Sequence, residues 1–319
     1  MKLRVAVIGM GPVGQILSVF FHKSGCSVTV YDKDEAKTTL IREKGIHLEG
    51  LYTESAMVNA VAGSPQQLLL QQPEVIIISV KIYHSVSVID ELVQAGLQDT
   101  LIICAQNGIG SEDSLINAFG EENVFRMVLN FAGNLVEPNL TRVTFFNAPN
   151  YLASLDDSRE EFSAKIAGLL TGAGLDTQHV NSFRLQNRVW EKTILNAALS
   201  ALCGITGLTM KEAMDKPALS LIVEQLIEEA VAVAKAEEIF FGKNFSKLCL
   251  RYLRNAGNHF PSLAIDMKQN RPTEIDYFNG QFVKYGKKHY VKTPLHFALT
   301  NMVKAHSDEN KFIRGPLLQ

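Results

Sequence analysis

The first half of the chain alternates short, unbroken apolar runs with longer stretches of mixed polarity. "LRVAVIG" (3–9), "SVTVYD" (27–32), "VIIISVK" (75–81) and "TLIICAQN" (100–107) are rich in Val and Ile and are bounded by turn residues. Runs that stay apolar at successive positions suit strands of a parallel sheet covered on both faces. The intervening stretches 12–24, 34–44, 84–95 and 111–119 read as helices. Strand–helix–strand alternation predicts right-handed crossovers and a doubly wound α/β sheet.

The pattern then changes. Residues 124–156 suit further strands without long helices between them, 160–174 one more helix, and 175–180 a last strand. From Ser182 onward strand patterns almost vanish. The runs 183–203, 217–238, 243–256, 274–286 and 294–307 all suit helices, with Pro or Gly at several junctions. The expectation is an α/β domain over 1–180 followed by an all-helical domain over 181–319, with no Gly/Ser/Pro-rich linker between them. The chain has no internal repeat and no low-complexity segment.

Composition narrows this picture. A length of 319 residues suits two domains, and 46% hydrophobic with 20% charged residues excludes a disordered or collagen-like chain. A formal net charge of −2 supplies no bulk attraction for nucleic acid, and the longest basic run is "GKKH" at 286–289. Cys26, Cys104, Cys203 and Cys249 are far apart and lack zinc spacing, so no metal is expected. They read as free thiols in a reducing compartment. The apolar run in "MKLRVAVIG" is too short for a signal peptide, and no stretch approaches the roughly 20 apolar residues of a membrane span. A cytoplasmic protein with no membrane partner is expected.

Chemistry enters at the end of the first strand. Gly9, Gly11 and Gly14 have G-x-G-x-x-G spacing, directly after a strand pattern and at the start of a helix pattern. That context marks a dinucleotide-binding turn. The first glycine allows the tight turn, the second lets a pyrophosphate approach the backbone, and the third lets helix and strand pack closely. Gly9, Met10, Gly11, Pro12, Val13 and Gly14 are therefore the expected phosphate cradle, at the positive end of the helix that starts near Pro12. Asp32 lies 18 positions after Gly14, close to where an acid takes the adenosine ribose hydroxyls in NAD sites. It would repel a 2′-phosphate, by about 4 kcal/mol per charge pair at ~4 Å and an effective dielectric near 20. Lys33 next to it could instead pair with that phosphate. The balance leans to NADH over NADPH.

Two further loops follow strands: "SVKIYH" (79–84) and "CAQNGIG" (104–110). Ligands of doubly wound sheets lie beyond the carboxyl ends of the strands, so Lys81 and Asn107 are placed to reach cofactor or substrate. In the second half, "VWEKTILNAALSALCG" (189–204) carries Lys192, Asn196 and Ser200 at four-residue intervals in an otherwise apolar run. Residues four apart share one helical face, so the three form a narrow polar stripe.

These features together resemble the ketopantoate reductase family. The resemblance rests on "GMGPVG", "SVK" and "QNG" after successive strands, "WEKTILN", and "SLAIDMKQNRPTEIDYFNG" (262–280), in the family's order across nearly the whole chain. It implies a Rossmann domain followed by an all-helical domain, with the active site in the cleft between them. It also implies reduction of 2-dehydropantoate to pantoate by NADPH in most members, in pantothenate biosynthesis. Carried over by position, Lys192 would be the catalytic lysine and Glu274 its partner. Asn107, Asn196 and Ser262 would contact substrate, with Ser200 at a further substrate position, and Lys81 would lie on the nicotinamide side.

The chemistry agrees. Hydride delivery to the carbonyl of a 2-keto acid builds negative charge on the oxygen, which needs a proton donor and fixed dipoles. Lys192 suits the donor, Asn196 a substrate hydroxyl, and Ser262 the substrate carboxylate. Glu274, after Pro272 and Thr273, also sits where a helix dipole favours an acid. Asp266 reads as a structural salt bridge or cap.

The chain departs from the family in three places. Ser200 stands where relatives usually carry a second Asn, "VTFFNAPNYLAS" (143–154) lacks the usual His and Gly, and "VYDKD" lacks the Arg common in NADPH users. A paralogous reductase of another 2-keto acid is therefore a second expectation. A non-catalytic nicotinamide sensor is a third, opposed by the set Lys192, Asn196, Ser262 and Glu274. The apolar faces of the helical half would serve its own core or a homodimer.

Overall fold

The computed structural model describes the backbone of residues 2–312 and the side chains as far as His306. The chain divides into two compact units: residues up to Asn107 with Ser111–Leu185, and Gly108–Gly110 with the residues from Gln186 onward.

The first unit is α/β. Its strands are β1 (Arg4–Ile8), β2 (Ser27–Tyr31), β3 (Ile46–Gly50), β4 (Glu54–Ala56), β5 (Ala60–Ala62), β6 (Val75–Ile78), β7 (Leu101–Cys104), β8 (Val124–Val128), β9 (Phe131–Glu137), β10 (Leu140–Phe146), β11 (Asn150–Ser154) and β12 (Thr177–His179). Its α-helices are α1 (Pro12–Lys23), α2 (Glu35–Lys44), α3 (Pro65–Leu70), α4 (Ser85–Gln94), α5 (Asp113–Phe119) and α6 (Glu160–Gly172). Eight strands form one sheet in the order β12-β11-β8-β7-β6-β1-β2-β5. All its pairings are parallel except β8–β11.

The two-residue period of a strand explains the unbroken apolar runs. Val5, Val7, Val28, Val30, Val75 and Ile77 enter one core with Phe20 and Phe21 of α1 and Ile166 of α6. Their neighbours Ala6, Ile8, Ile76 and Ile78 enter a second core with Val88 and Leu92 of α4 and Leu115 of α5. Both faces are covered, so every position must be apolar. The switch in strand order lies at β1, where β6 departs to one side and β2 to the other.

Residues 46–62 carried no strand expectation, yet they hold β3, β4 and β5. These segments are only three to five residues long; β3 and β4 mix polar with apolar positions, and β5 is the three-residue run Ala60–Ala62. Their partners decide them: β5 extends the large sheet beside β2, and β3 pairs with β10, from residues 140–143. The result is a separate four-stranded sheet, β4-β3-β10-β9.

The rest of the chain is helical: α7 (Ser182–Thr206), α8 (Met210–Met214), α9 (Pro217–Ala236), α10 (Phe245–Arg254), α11 (Ser262–Lys268), α12 (Asn279–Lys288) and α13 (Pro294–Phe312). The short α8 and α11 went unread in the sequence. The helix expected over 274–286 starts later. Ile275–Tyr277 is a single 3₁₀ turn, Phe278 breaks from helical geometry at φ −108° and ψ −99°, and α12 begins at Asn279. The Tyr277 carbonyl is taken by the amide of Ile109 at 3.1 Å, so it does not accept within a continuous helix. Glu274 accordingly precedes a three-residue turn rather than sitting in the first turn of an α-helix.

A buried polar knot joins four of these helices. His296 donates from Nε2 to the Leu226 carbonyl (3.0 Å), which leaves Nδ1 to accept from Asn279 Nδ2 (3.1 Å). Asn279 Nδ2 also donates to the Ala197 carbonyl at 2.9 Å. The Glu229 carboxylate accepts from the amides of Leu295 and His296 at the start of α13. Burial holds His296 neutral, its pKa lowered from 6.5 to about 4. Asn279 is thus a structural support. All four cysteines are buried and free, and burial pushes Cys203 and Cys249 up to about 12. Among the described residues, no helix is long and apolar enough to cross a membrane.

Candidate active site

The glycine-rich turn joins β1 to α1. Gly9 adopts φ +93°, and a Cβ there would lie 2.7 Å from Val80 Cγ1 and 2.9 Å from the Val80 amide nitrogen. A Cβ on Gly14 would lie 1.9 Å from the Gly9 carbonyl oxygen. Packing forbids a side chain at both positions. Gly11 is different: nothing lies within 4 Å of where its Cβ would be. Its lack of a side chain leaves open space in front of the turn. Gly11 is the N-cap of α1 with no side-chain cap, and Pro12 fills the first helical position. Among the described residues, the Gly11, Val13 and Gly14 amides have no hydrogen-bond acceptor. Free amides at a helix N-terminus beside open space fit the pyrophosphate of a dinucleotide.

Asp32 follows β2 and is drawn into the same turn. Its Oδ2 accepts from the Met10 amide at 2.6 Å and pairs with Lys37 Nζ at 3.2 Å. Its Oδ1 accepts from the Asp34 amide at 2.9 Å. Lys33 is exposed and Lys37, on the first turns of α2, is half-buried. Burial first, then the charge of Lys33, holds the His84 imidazole below its usual range. Sequence reasoning missed Lys37. The available signal was a cation five positions after Asp32.

Lys81 is half-buried and precedes the 3₁₀ turn Ile82–His84 that leads into α4. Asn107 is half-buried in the turn after β7, and among the described residues its side chain makes no hydrogen bond. Between these loops lies a polar braid that sequence reasoning also missed. Gln106 Nε2 donates to the Val80 carbonyl and to Ser85 Oγ, each at 2.8 Å. Arg126 of β8 donates to the Gln106 carbonyl and to the Cys104 carbonyl, and its Nε lies 3.5 Å from Glu112 Oε2. Arg126 is buried, so its charge must be paired, and the braid offers it main-chain oxygens and the Glu112 carboxylate. Arginine inside the otherwise apolar "VFRMV" was the signal.

In the second unit, Lys192 and Asn196 lie one turn apart on α7 and are half-buried, flanked by the buried Thr193, Ile194, Ala197 and Ala198. Ser200, one turn further, is buried. Among the described residues, neither Asn196 nor Ser200 has a side-chain hydrogen bond. Trp190 packs on Phe282 and Tyr285 of α12, at centroid distances of 5.9 and 5.4 Å, which fixes the rotation of α7 about its axis. Ser262 is exposed as the first residue of α11, and Glu274 is buried. Asp266 is buried and accepts from Arg271 Nε (2.9 Å) and Nη2 (2.6 Å), which closes the turn after α11. It is structural. The structure thus brings Gly9, Gly14, Met10 and Asp32 together in the first unit, and aligns Lys192, Asn196 and Ser200 along one helix of the second.

A glycine turn of this kind, ending on an acid after the second strand, is how nicotinamide-dependent oxidoreductases hold their coenzyme. The chain is an NAD(P)-dependent oxidoreductase. Comparison with known proteins makes the class specific. Residues 5–156 match "Ketopantoate reductase PanE/ApbA" and residues 184–307 match "Ketopantoate reductase PanE/ApbA C terminal". The chain belongs to the ketopantoate reductase family. The 2-dehydropantoate 2-reductase of Lactococcus lactis is 27% identical over 313 residues, covering 96% of this chain and 98% of the relative. That of Pyrococcus abyssi is 23% identical over 303 residues, covering 95% and 97%. Among solved structures, D-mandelate dehydrogenase with NADH and anilino(oxo)acetate has a TM-score of 0.85 at 25% identity, covering 98% of this chain and 100% of that one. A ketopantoate reductase from Ralstonia eutropha shares the fold, with a TM-score of 0.86 at 23% identity over 98% and 100% of the two chains.

Proposed function

We propose that this protein reduces the carbonyl of a 2-keto acid, with 2-dehydropantoate as the substrate and pantoate as the product. The observation that carries the proposal is the pair Lys192 and Asn196, half-buried one turn apart on α7, in a chain that matches the family over both of its parts. A bound nicotinamide supplies the hydride. Lys192 donates the proton that the carbonyl oxygen takes up as it becomes negative, and its positive charge stabilises that oxygen beforehand. Asn196 and Asn107, whose side chains make no hydrogen bond among the described residues, bind the substrate's hydroxyl and carbonyl groups. Ser262 takes the carboxylate, Ser200 contributes a hydroxyl to substrate binding, Glu274 holds the lysine in place, and Lys81 serves the nicotinamide side.

The turn Gly9–Gly14 holds the pyrophosphate, and Asp32 takes the adenosine ribose hydroxyls. Its charge favours NADH, while Lys33 and Lys37 moderate the repulsion that a 2′-phosphate would meet. The test is purified protein with ketopantoate and either NADH or NADPH, following loss of the reduced nicotinamide. Turnover faster with NADH supports the whole reading, and no turnover with either coenzyme defeats the substrate assignment.

One observation favours a second reading, a reductase of another 2-keto acid. Ser200 is shorter than the asparagine usual at that place, and D-mandelate dehydrogenase is as similar to this chain as the ketopantoate reductases are. A panel of 2-keto acids with and without a 4-hydroxyl separates the two.

A further inference from the structure

Gln15 follows the third glycine of the turn and is completely buried on α1. A valine or leucine there would cover the same core surface without desolvating an amide, so its polarity needs a reason. The amide is held at three points. Nε2 donates to the Pro138 carbonyl at 2.7 Å and to the Met10 carbonyl at 3.2 Å, and Oε1 accepts from Thr141 Oγ1 at 2.8 Å. Two carbonyls on one side and a hydroxyl on the other determine which way the amide faces.

The consequence falls on Met10, between the first two glycines. Its N–H is tied to Asp32 Oδ2 and its C=O to Gln15, so both of its polar backbone groups are held by side chains. The neighbouring carbonyls are held as well: Ser79 Oγ donates to Ile8 and Gly9, and the Gln15 backbone N–H to Gly11. A trans peptide is planar, with N–H and C=O pointing in opposite directions. Holding the Met10 carbonyl against Gln15 therefore turns the Gly11 N–H away from the core. That N–H has no acceptor among the described residues.

We propose that Gln15 is a positioning residue for the cofactor's pyrophosphate. It carries the fixed position of the small sheet, through Pro138 before β10 and Thr141 within it, into the orientation of the Met10–Gly11 peptide. The proposal rests on the dinucleotide reading of the glycine turn. It gives the four-stranded sheet a role in coenzyme binding, although none of the residues assigned to the coenzyme lies on a strand of that sheet.

The experiment compares Gln15→Met, which keeps the volume and removes all three bonds, with Thr141→Val, which leaves both carbonyl bonds in place. Affinity for ADP-ribose and for adenosine is measured by titration calorimetry and by competition against NADH fluorescence. Gln15→Met is expected to weaken ADP-ribose by about tenfold while leaving adenosine within about twofold, and Thr141→Val to leave their ratio near that of the unaltered protein. A purely structural glutamine would loosen both ligands alike, so an unchanged ratio in Gln15→Met overturns the proposal. A second measurement needs no variant. In ¹⁵N-glycine-labelled protein, ADP-ribose is expected to shift the Gly11 amide resonance strongly and adenosine to leave it in place. A Gly11 amide indifferent to ADP-ribose also overturns the proposal. If the unaltered protein binds neither ADP-ribose nor NADH, the dinucleotide reading itself fails, and this inference with it.

Discussion

Lys192 and Ser200 share one face of α7 and make different predictions. If Lys192 donates the proton, Lys192→Ala should lower turnover by a factor of at least ~100, the scale of a general acid. Coenzyme binding should stay unchanged, because the coenzyme's phosphates and ribose are assigned to Gly9–Gly14 and Asp32. Steady-state rates alongside NADH titration check both halves, and surviving turnover would remove Lys192 from the mechanism. Ser200 tests the substrate. Asparagine reaches further than serine and both donates and accepts, so Ser200→Asn should raise kcat/KM for keto acids with a 4-hydroxyl relative to those without. An unchanged ranking across the panel would mean that this position does not read the hydroxyl. At this scale much was legible in advance, because glycine spacing and a four-residue stripe are properties of local sequence. Arg126, Gln15 and Lys37 were not read as part of the site. Each acts on a residue distant in sequence or on a backbone group that no motif names.

The elements carry their own predictions through the knot that ties α7, α9, α12 and α13. His296 is neutral in the folded protein, with a pKa near 4 against 6.5 when free. The fold favours the uncharged ring, so its contribution is complete above pH 6.5 and is lost as the pH falls toward 4. The loss amounts to about 3 kcal/mol by linkage. Chemical denaturation at a series of pH values should show that slope, and His296→Gln should flatten it. Asn279→Ala would leave the Ala197 carbonyl and His296 Nδ1 without their donor, at a cost of about 1–3 kcal/mol, read as a lower denaturation midpoint with activity per folded molecule preserved. The long helices and sheet strands could be read from periodicity because their burial is regular along the chain. β3, β4 and β5 could not, because segments of three to five residues are too short to show a period and become strands only when a partner presents its edge. The late start of α12 has the same origin: the Tyr277 carbonyl is spent on Ile109, whose distance in sequence hides the competition.

For the molecule as a whole, coenzyme binding should appear as stability. A ligand that binds only the folded form at 100 times its Kd adds about 2.7 kcal/mol. NADH should therefore raise the melting temperature in a concentration-dependent way, and NADPH should do so less at equal concentration if Asp32 dominates over Lys33 and Lys37. Equal shifts would show that the two lysines cancel the acid's preference. The sequence by itself determined the class of fold, the glycine turn, the acid after the second strand and the polar stripe of α7, because each depends on residues within about one or two turns or one strand of each other. Only the tertiary structure decided that Met10 is tied to Asp32, that Gln15 ties the turn to Thr141 of a second sheet, and that Arg126 braces the loops bearing Lys81 and Asn107. Those contacts join residues 20 to 126 positions apart, and no local pattern records which distant partner will satisfy a buried polar group.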